Sequence, residues 1–308
     1  VSLGYVAPSG GRAGDGDPGA PGAPGAPGAP GGLGVRCEGV VHLYRTFEGH
    51  DVVALQGVDL EIDAGERVAF LGPSGSGKST LLALLGGIQR PSAGRIFLGD
   101  EEVSRMGERY LARLRARRVS TMLQGASRNL LTYATARQNL GFARLALSAR
   151  ERREVLPEEE LLRMVGLAQQ LDQVVATMSG GQRQRLALAC AASTGPQLLL
   201  ADEPTSQLSH EDRDHVLTLL HRLGDDLGTT VVVVTHQPEV AATFPRTVTM
   251  KGGRVGAEGR DGSEYAVVGA EGVLHLPSHL AAEWPAGTLV RIEPEERRLV
   301  VSRPEDHS

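Results

Sequence analysis

Nine consecutive residues, Gly72-Pro73-Ser74-Gly75-Ser76-Gly77-Lys78-Ser79-Thr80, match the G-x-x-x-x-G-K-[ST] pattern of a phosphate-binding loop. The chemistry such a run offers is capture of a polyphosphate. Its glycines let the backbone curl around an anion with no Cβ in the way. The loop N–H groups then point inward, and the N-terminus of the following helix adds positive potential. Lys78 is placed to reach β- and γ-phosphates, and the Ser79 hydroxyl to ligand Mg²⁺. The motif needs a strand before it and a helix after it. Arg67-Val68-Ala69-Phe70-Leu71, bounded by Gly65 and Gly72, reads as a buried strand. Leu81-Leu82-Ala83-Leu84-Leu85, stopped by Gly86-Gly87, reads as the helix. The bland alternative, a Gly/Ser-rich turn before an ordinary core helix, does not require both flanks to be right.

Further along, the same alternation recurs. Val119 to Leu123 is a short apolar run that ends at Gln124. Between Gly125 and about Thr177 the pattern is mostly helical, with apolar residues at three- and four-residue spacing in Ala134–Leu147 and Pro157–Val165. Met178-Ser179-Gly180-Gly181-Gln182 opens a strongly helical stretch, Arg183 to Ala192. Leu198 to Ala201 is an apolar strand running into Asp202-Glu203-Pro204-Thr205, His210 to Leu227 an amphipathic helix, and Thr230 to Thr235 a strand ending at His236. Val248–Met250 and Gly253–Val255 form a closing hairpin around Lys251-Gly252. Strands alternating with helices imply an α/β domain with a largely parallel sheet. The strands expected before the phosphate loop, from Val35 to Ile62, add an antiparallel layer.

Bulk properties narrow the classes. The 308 residues are 41% hydrophobic and 22% charged, as in a globular protein, with net charge −5. That sign disfavours a dedicated nucleic-acid binder, and the basic run Arg113–Arg118 reads as a solvated helix face. Two cysteines, Cys37 and Cys190, provide no disulfide framework or zinc spacing and point to a reducing compartment. No secretory signal and no membrane span are read, so any membrane part is expected from another chain. Residues 1–34 are expected to be a disordered Gly/Ala/Pro-rich tail, with glycine every third residue from Gly16 to Gly31.

Together these motifs, in this order, resemble the nucleotide-binding subunit of ATP-binding-cassette (ABC) transporters over about Val35 to Ala257. The resemblance implies an α/β fold: a P-loop NTPase core with a mixed, largely parallel sheet, an antiparallel β subdomain and a helical subdomain, plus a small C-terminal β unit. The expected domains are 35–259 for ATP binding, with the helical subdomain at about 125–195, and 260–308 for a β-rich extension. It also implies roles. Met178-Ser179-Gly180-Gly181-Gln182 looks like the signature motif, usually written with Leu in place of Met178, and is expected to meet the γ-phosphate of ATP on a second subunit. Asp202 would hold the Mg²⁺ shell, as in a Walker B strand. Glu203 is the expected general base toward the attacking water. Gln124 matches the Q-loop glutamine that contacts Mg²⁺ or water, His236 the switch histidine, and Tyr44 the aromatic that stacks on adenine. With Lys78 and the loop 72–80, these form the expected ATP and Mg²⁺ site. Taken singly, each has a plainer explanation: an Asp-Glu pair after a strand is often a helix cap, a histidine such as His236 a turn residue, and Gly180-Gly181 a flexible helix entry.

The resemblance further implies a head-to-tail homodimer, a transmembrane permease in a separate chain docking on Gly125–Thr177, and a place on the cytoplasmic face of the cell membrane. Leu81–Ile88 and Leu200–Thr205 look most like the lipoprotein-release and macrolide-export branch. A non-transport ABC ATPase acting on a mechanical or cell-envelope partner, such as a cell-division complex, is the competing reading. Two departures stand out: Ser209 replaces the usual Asp at the end of the D-loop, and Cys190 lies where a basic residue is common. Leu276 to Val301 resembles the swapped-hairpin modules of the AbrB type, expected to serve as a dimerising or regulatory cap, with a mere β extension as the equal alternative.

Overall fold

A computed structural model of the chain describes residues 2–4, 31–45, 49–206, 208–260, 263–266, 284, 288–295 and 298–302. In chain order the strands are β1 (Ser2–Gly4), β2 (Val35–Arg45), β3 (Asp51–Ile62), β4 (Arg67–Leu71), β5 (Ala93–Leu98), β6 (Glu101–Glu102), β7 (Val119–Met122), β8 (Leu198–Asp202), β9 (Thr230–Thr235), β10 (Arg246–Lys251), β11 (Arg254–Arg260), β12 (Ser263–Ala266), β13 (Arg291–Glu295) and β14 (Arg298–Ser302). The helices are α1 (Lys78–Leu85), α2 (Glu108–Arg117), α3 (Ala136–Ala143), α4 (Glu151–Glu154), α5 (Glu158–Met164), α6 (Gly180–Ala192), α7 (His210–Asp225) and α8 (Pro238–Ala241). Two compact units emerge: Gly25–His275, and Val1–Pro24 with Leu276–Ser308.

In the larger unit a seven-stranded sheet runs β12-β11-β10-β4-β9-β8-β7. Its five strands from β10 to β7 are parallel, while β11 and β12 are added antiparallel at one edge. All residues of β8 and β9 are buried. That is why both sequences are apolar without alternation: each face is covered. The period of two then separates two cores. Leu198 and Leu200 of β8 join Leu81, Leu82, Leu84 and Leu85 of α1 in one cluster. Leu199 and Ala201 join Leu186 and Leu188 of α6 in the other. Helices α1 and α6 therefore lie on opposite faces of the sheet. A four-stranded antiparallel sheet, β3-β2-β5-β6, closes the α1 side.

Two expected boundaries shift. β12 pairs with β11, Ala266 opposite Ala257, so the strand expected to start a separate extension after residue 259 extends the main sheet instead. Two described stretches fall within the span expected as a tail. Ser2–Gly4 pairs antiparallel with β14, Ser2 opposite Val300, a partner too distant in sequence for local composition to reveal. Leu33 is buried, and its N–H donates to Gln197 O at 3.1 Å, so the core begins before Val35. In the smaller unit, β1, β14 and β13 form a three-stranded antiparallel sheet. The expected strand Gly272–Pro277, most of the AbrB-like stretch and most of the Gly/Ala/Pro run lie outside the described residues.

Candidate active site

Register builds the site. β4 pairs with β9, Leu71 opposite Thr235, and β8 with β9, Asp202 opposite Val234. Gly72, Glu203 and His236 therefore leave the sheet side by side at its carboxyl edge, where parallel α/β sheets bind ligands. β7 pairs with β8, Met122 opposite Ala201, so Gln124 leaves at the same edge.

The loop 72–80 joins β4 to α1 and needs its glycines. A Cβ on Gly72 would lie 2.2 Å from Met250 O. Gly77, at φ 95°, caps α1 in the left-handed region, and a Cβ there would meet Ala54 O at 2.6 Å. Pro73, Ser74 and Gly75 line the open side of the loop, and Ser76 is buried. Lys78 is buried, with Nζ donating to Gly72 O at 2.7 Å, Pro73 O at 2.8 Å and Ser76 Oγ at 3.2 Å. Burial lowers its pKa below the usual lysine range, opposed by the carboxylates of Glu203 and Asp202.

Asp202 is buried and accepts a hydrogen bond from the Ser79 hydroxyl, yet its Oδ1 has no partner. Burial raises its pKa above the usual carboxylate range, against the Ser79 bond. A hydroxyl beside an unsatisfied carboxylate oxygen is a hard-oxygen donor set that fits Mg²⁺ carried in with a nucleotide.

Glu203 is the one described non-glycine residue at positive φ, 51°. Its N–H donates to Val234 O at 2.9 Å, and His236 Nδ1–H donates to its Oε1 at 2.7 Å. Its Oε2 is buried and has no partner, an acceptor facing no donor of the protein. Tyr44 lies against the first turn of α1, its hydroxyl 3.2 Å from Thr80 Oγ1 and donating to Gln89 Oε1 at 2.9 Å. The His42 ring packs edge-on against it, 4.7 Å between centroids. Gln124 is exposed and lines a cavity of about 520 Å³ with Gly180, Gln184, Ser206 and His236.

Ser179–Gln182 opens α6 with a capping box: Ser179 Oγ accepts from Gln182 N–H at 3.1 Å, and Gln182 Oε1 accepts from Ser179 N–H at 2.9 Å. Ser179 and Gly180 are exposed. Lys78, Ser79, Asp202, Glu203 and His236 gather at the carboxyl edge of the sheet, and the exposed Gly180 at the start of α6 lines the cavity that His236 also borders. Ser209, unusual at its position, caps α7 by accepting from Asp212 N–H at 3.2 Å. Serine and aspartate are both strong N-caps, so the helix start survives the exchange. One residue carries no motif that would mark it in the sequence. Gln184 donates from Nε2 to Glu203 O at 3.0 Å and Pro204 O at 3.2 Å. Its only sequence signal is a polar residue on the buried face of α6.

An edge that gathers a glycine cradle, a buried lysine and two carboxylates with unsatisfied oxygens belongs to the phosphate-loop nucleoside triphosphatases. Comparison narrows the class. The family model described as ABC transporter matches residues 55–206. The lipoprotein-releasing system ATP-binding protein LolD of Chromohalobacter salexigens is 37% identical over 222 residues, covering 72% of this chain and 92% of LolD. The macrolide export ATP-binding/permease protein MacB of Rhodopirellula baltica is 42% identical over 213 residues, 68% of this chain but 31% of MacB. Among solved structures, the ATP-binding cassette MJ0796, a dimer in a post-hydrolysis state bound to ADP and Pi, superposes with a TM-score of 0.66 at 34% identity, covering 73% of this chain and 98% of that one. The chain belongs to the ABC transporter ATP-binding family and is an ATPase of that family.

Proposed function

We propose that two copies of this chain clasp two Mg²⁺-ATP molecules head to tail, and that their hydrolysis drives a separate transmembrane permease of the lipoprotein-release or macrolide-export class. The observation that carries this reading is the exposed start of α6: Ser179 and Gly180 face solvent beside the cavity that Gly180 shares with His236. The exposed terminus of one copy can therefore complete the pocket of another, as a C₂ pair requires.

In each pocket the loop N–H groups and Lys78 receive the β- and γ-phosphates. Lys78 exchanges carbonyl partners for phosphate oxygens. Mg²⁺ at Ser79 and Asp202 would neutralise charge building on the transferred phosphoryl group. Glu203 Oε2 accepts a proton from the water as its oxygen bonds the γ-phosphorus and the bond to ADP breaks. His236 steadies the carboxylate from Oε1. Tyr44, beside Thr80, offers a flat ring to the adenine. Gln124 follows β7 at this edge, where the chain passes on toward the helical subdomain. There Tyr133, Phe142 and Leu145 expose 80%, 58% and 66% of their surface, which supports permease docking on this subdomain. Among the described residues no helix is long and apolar enough to cross a membrane. The protein then sits at the cytoplasmic face through the permease, which selects the cargo.

The test is turnover and assembly of the full chain. Glu203→Gln is expected to lose roughly 10²- to 10⁴-fold in kcat and, with ATP and Mg²⁺, to elute as a dimer in size-exclusion chromatography. Lys78→Ala is expected to lose nucleotide affinity. Wild-type turnover by Glu203→Gln, or a monomer at saturating ATP, overturns the reading.

A further inference from the structure

Glu203 has a backbone that does not persist unaided. Its backbone is left-handed without being glycine, at φ 51°. Such a conformation is strained and survives only where its surroundings over-determine it. Here β9 holds the peptide from one side, through the bond from Glu203 N–H to Val234 O. From the other side comes Gln184, 4% exposed, whose amide bridges the carbonyls of Glu203 and Pro204. Ser206 N–H adds a bond to Glu203 O at 3.2 Å. Turning this peptide would break both bonds from a buried amide, and a buried donor left unsatisfied is costly.

Gln184 also belongs to α6, four residues past Gly180, a rise of about 6 Å along a rigid helix. The far side of the same helix is anchored: Arg185 pairs with Asp212 at 3.0 Å and donates to Gly166 O at 3.0 Å. The signature helix and the peptide carrying the general base are thus one mechanical piece, joined through a single amide.

We propose that Gln184 is a positioning residue for hydrolysis: it holds the Glu203 peptide in the left-handed turn that points Oε2 at the water, so that the seating of α6 sets the aim of the base. The proposal rests on Glu203 being the general base. It predicts that Gln184→Met, similar in volume but without a donor, lowers kcat about 10- to 100-fold, the scale of a misplaced catalytic group. KM for ATP and the binding of a non-hydrolysable ATP analogue should stay within about twofold, because the phosphate loop is untouched. Gln184→Glu supplies a second reading that does not depend on the first variant folding. A carboxylate cannot donate and a carboxylic acid can, so kcat of Gln184→Glu relative to wild type should rise as pH falls. Wild-type kcat for Gln184→Met overturns the proposal, and so does a flat pH ratio for Gln184→Glu. Glu203→Gln assayed alongside separates causes. If it loses turnover while Gln184→Met keeps it, only the positioning role fails; if it keeps turnover, the base assignment fails and this proposal with it.

Discussion

Asp202 is held where its charge is unwelcome, and the sign of that burden can be measured. Burial raises its pKa, so folding favours the protonated form. This contribution is fully present below the unfolded value of about 3.9 and is lost as pH rises through the folded value. At neutral pH the ionised group therefore weighs against the fold, and Asp202→Asn should melt at a higher temperature than wild type while losing turnover. The gap in melting temperature should narrow as pH falls toward 4, about where unfolded aspartate protonates. Calorimetry across that range checks it, and a lower-melting Asn variant at neutral pH contradicts it. The cysteines make a plainer case. Burial pushes both the Cys37 and Cys190 thiols up to about 12. Native protein should resist alkylation at neutral pH, whereas denatured protein should take up label at both positions; mass spectrometry reads the difference.

Among the elements, α6 does two jobs at one end, and substitution can pull them apart. Ser179→Ala removes the cap and should cost about 1 kcal/mol of stability. Ser179→Asp keeps an oxygen for Gln182 N–H, so it should melt like wild type, yet its charge would repel a partner's γ-phosphate and abolish ATP-dependent dimers. Chemical denaturation and size-exclusion chromatography report the two effects separately. The sheet edge has its own anchor. Buried Arg246 on β10 reaches Glu66 at 3.1 Å, Glu258 at 2.7 Å and Glu61 O at 2.7 Å, tying β10 to β11 and to the turn before β4. Arg246→Met strands two largely buried carboxylates and should cost about 3 kcal/mol, read as a shift in denaturant midpoint. Elements with their own local grammar were legible in advance. The loop 72–80 declares its strand and helix by glycine punctuation, and Thr230–Thr235 declares a fully covered strand by an unbroken β-branched run. Gln184 did not declare itself, since its meaning lies in two carbonyls, those of Glu203 and Pro204, that the chain brings back only after α6 has ended and β8 has been laid down.

Over the whole molecule, both hydrophobic clusters are built from residues between Leu33 and Met250. A fragment of residues 25–275 should therefore fold cooperatively and hydrolyse ATP on its own, a prediction that circular dichroism and a phosphate-release assay can check. Long-range pairing was the least readable feature: Ser2–Gly4 meets Arg298–Ser302, and Ser263–Ala266 joins the main sheet, through registers that no local pattern encodes. On the proposed pairing, the exposed start of α6 serves a second copy's pocket, which makes catalysis an encounter between molecules. Activity per molecule should climb with protein concentration until every copy has found another. A scaffold holding two copies within a few nanometres would remove that dependence and make output insensitive to how scarce the protein is in the cell.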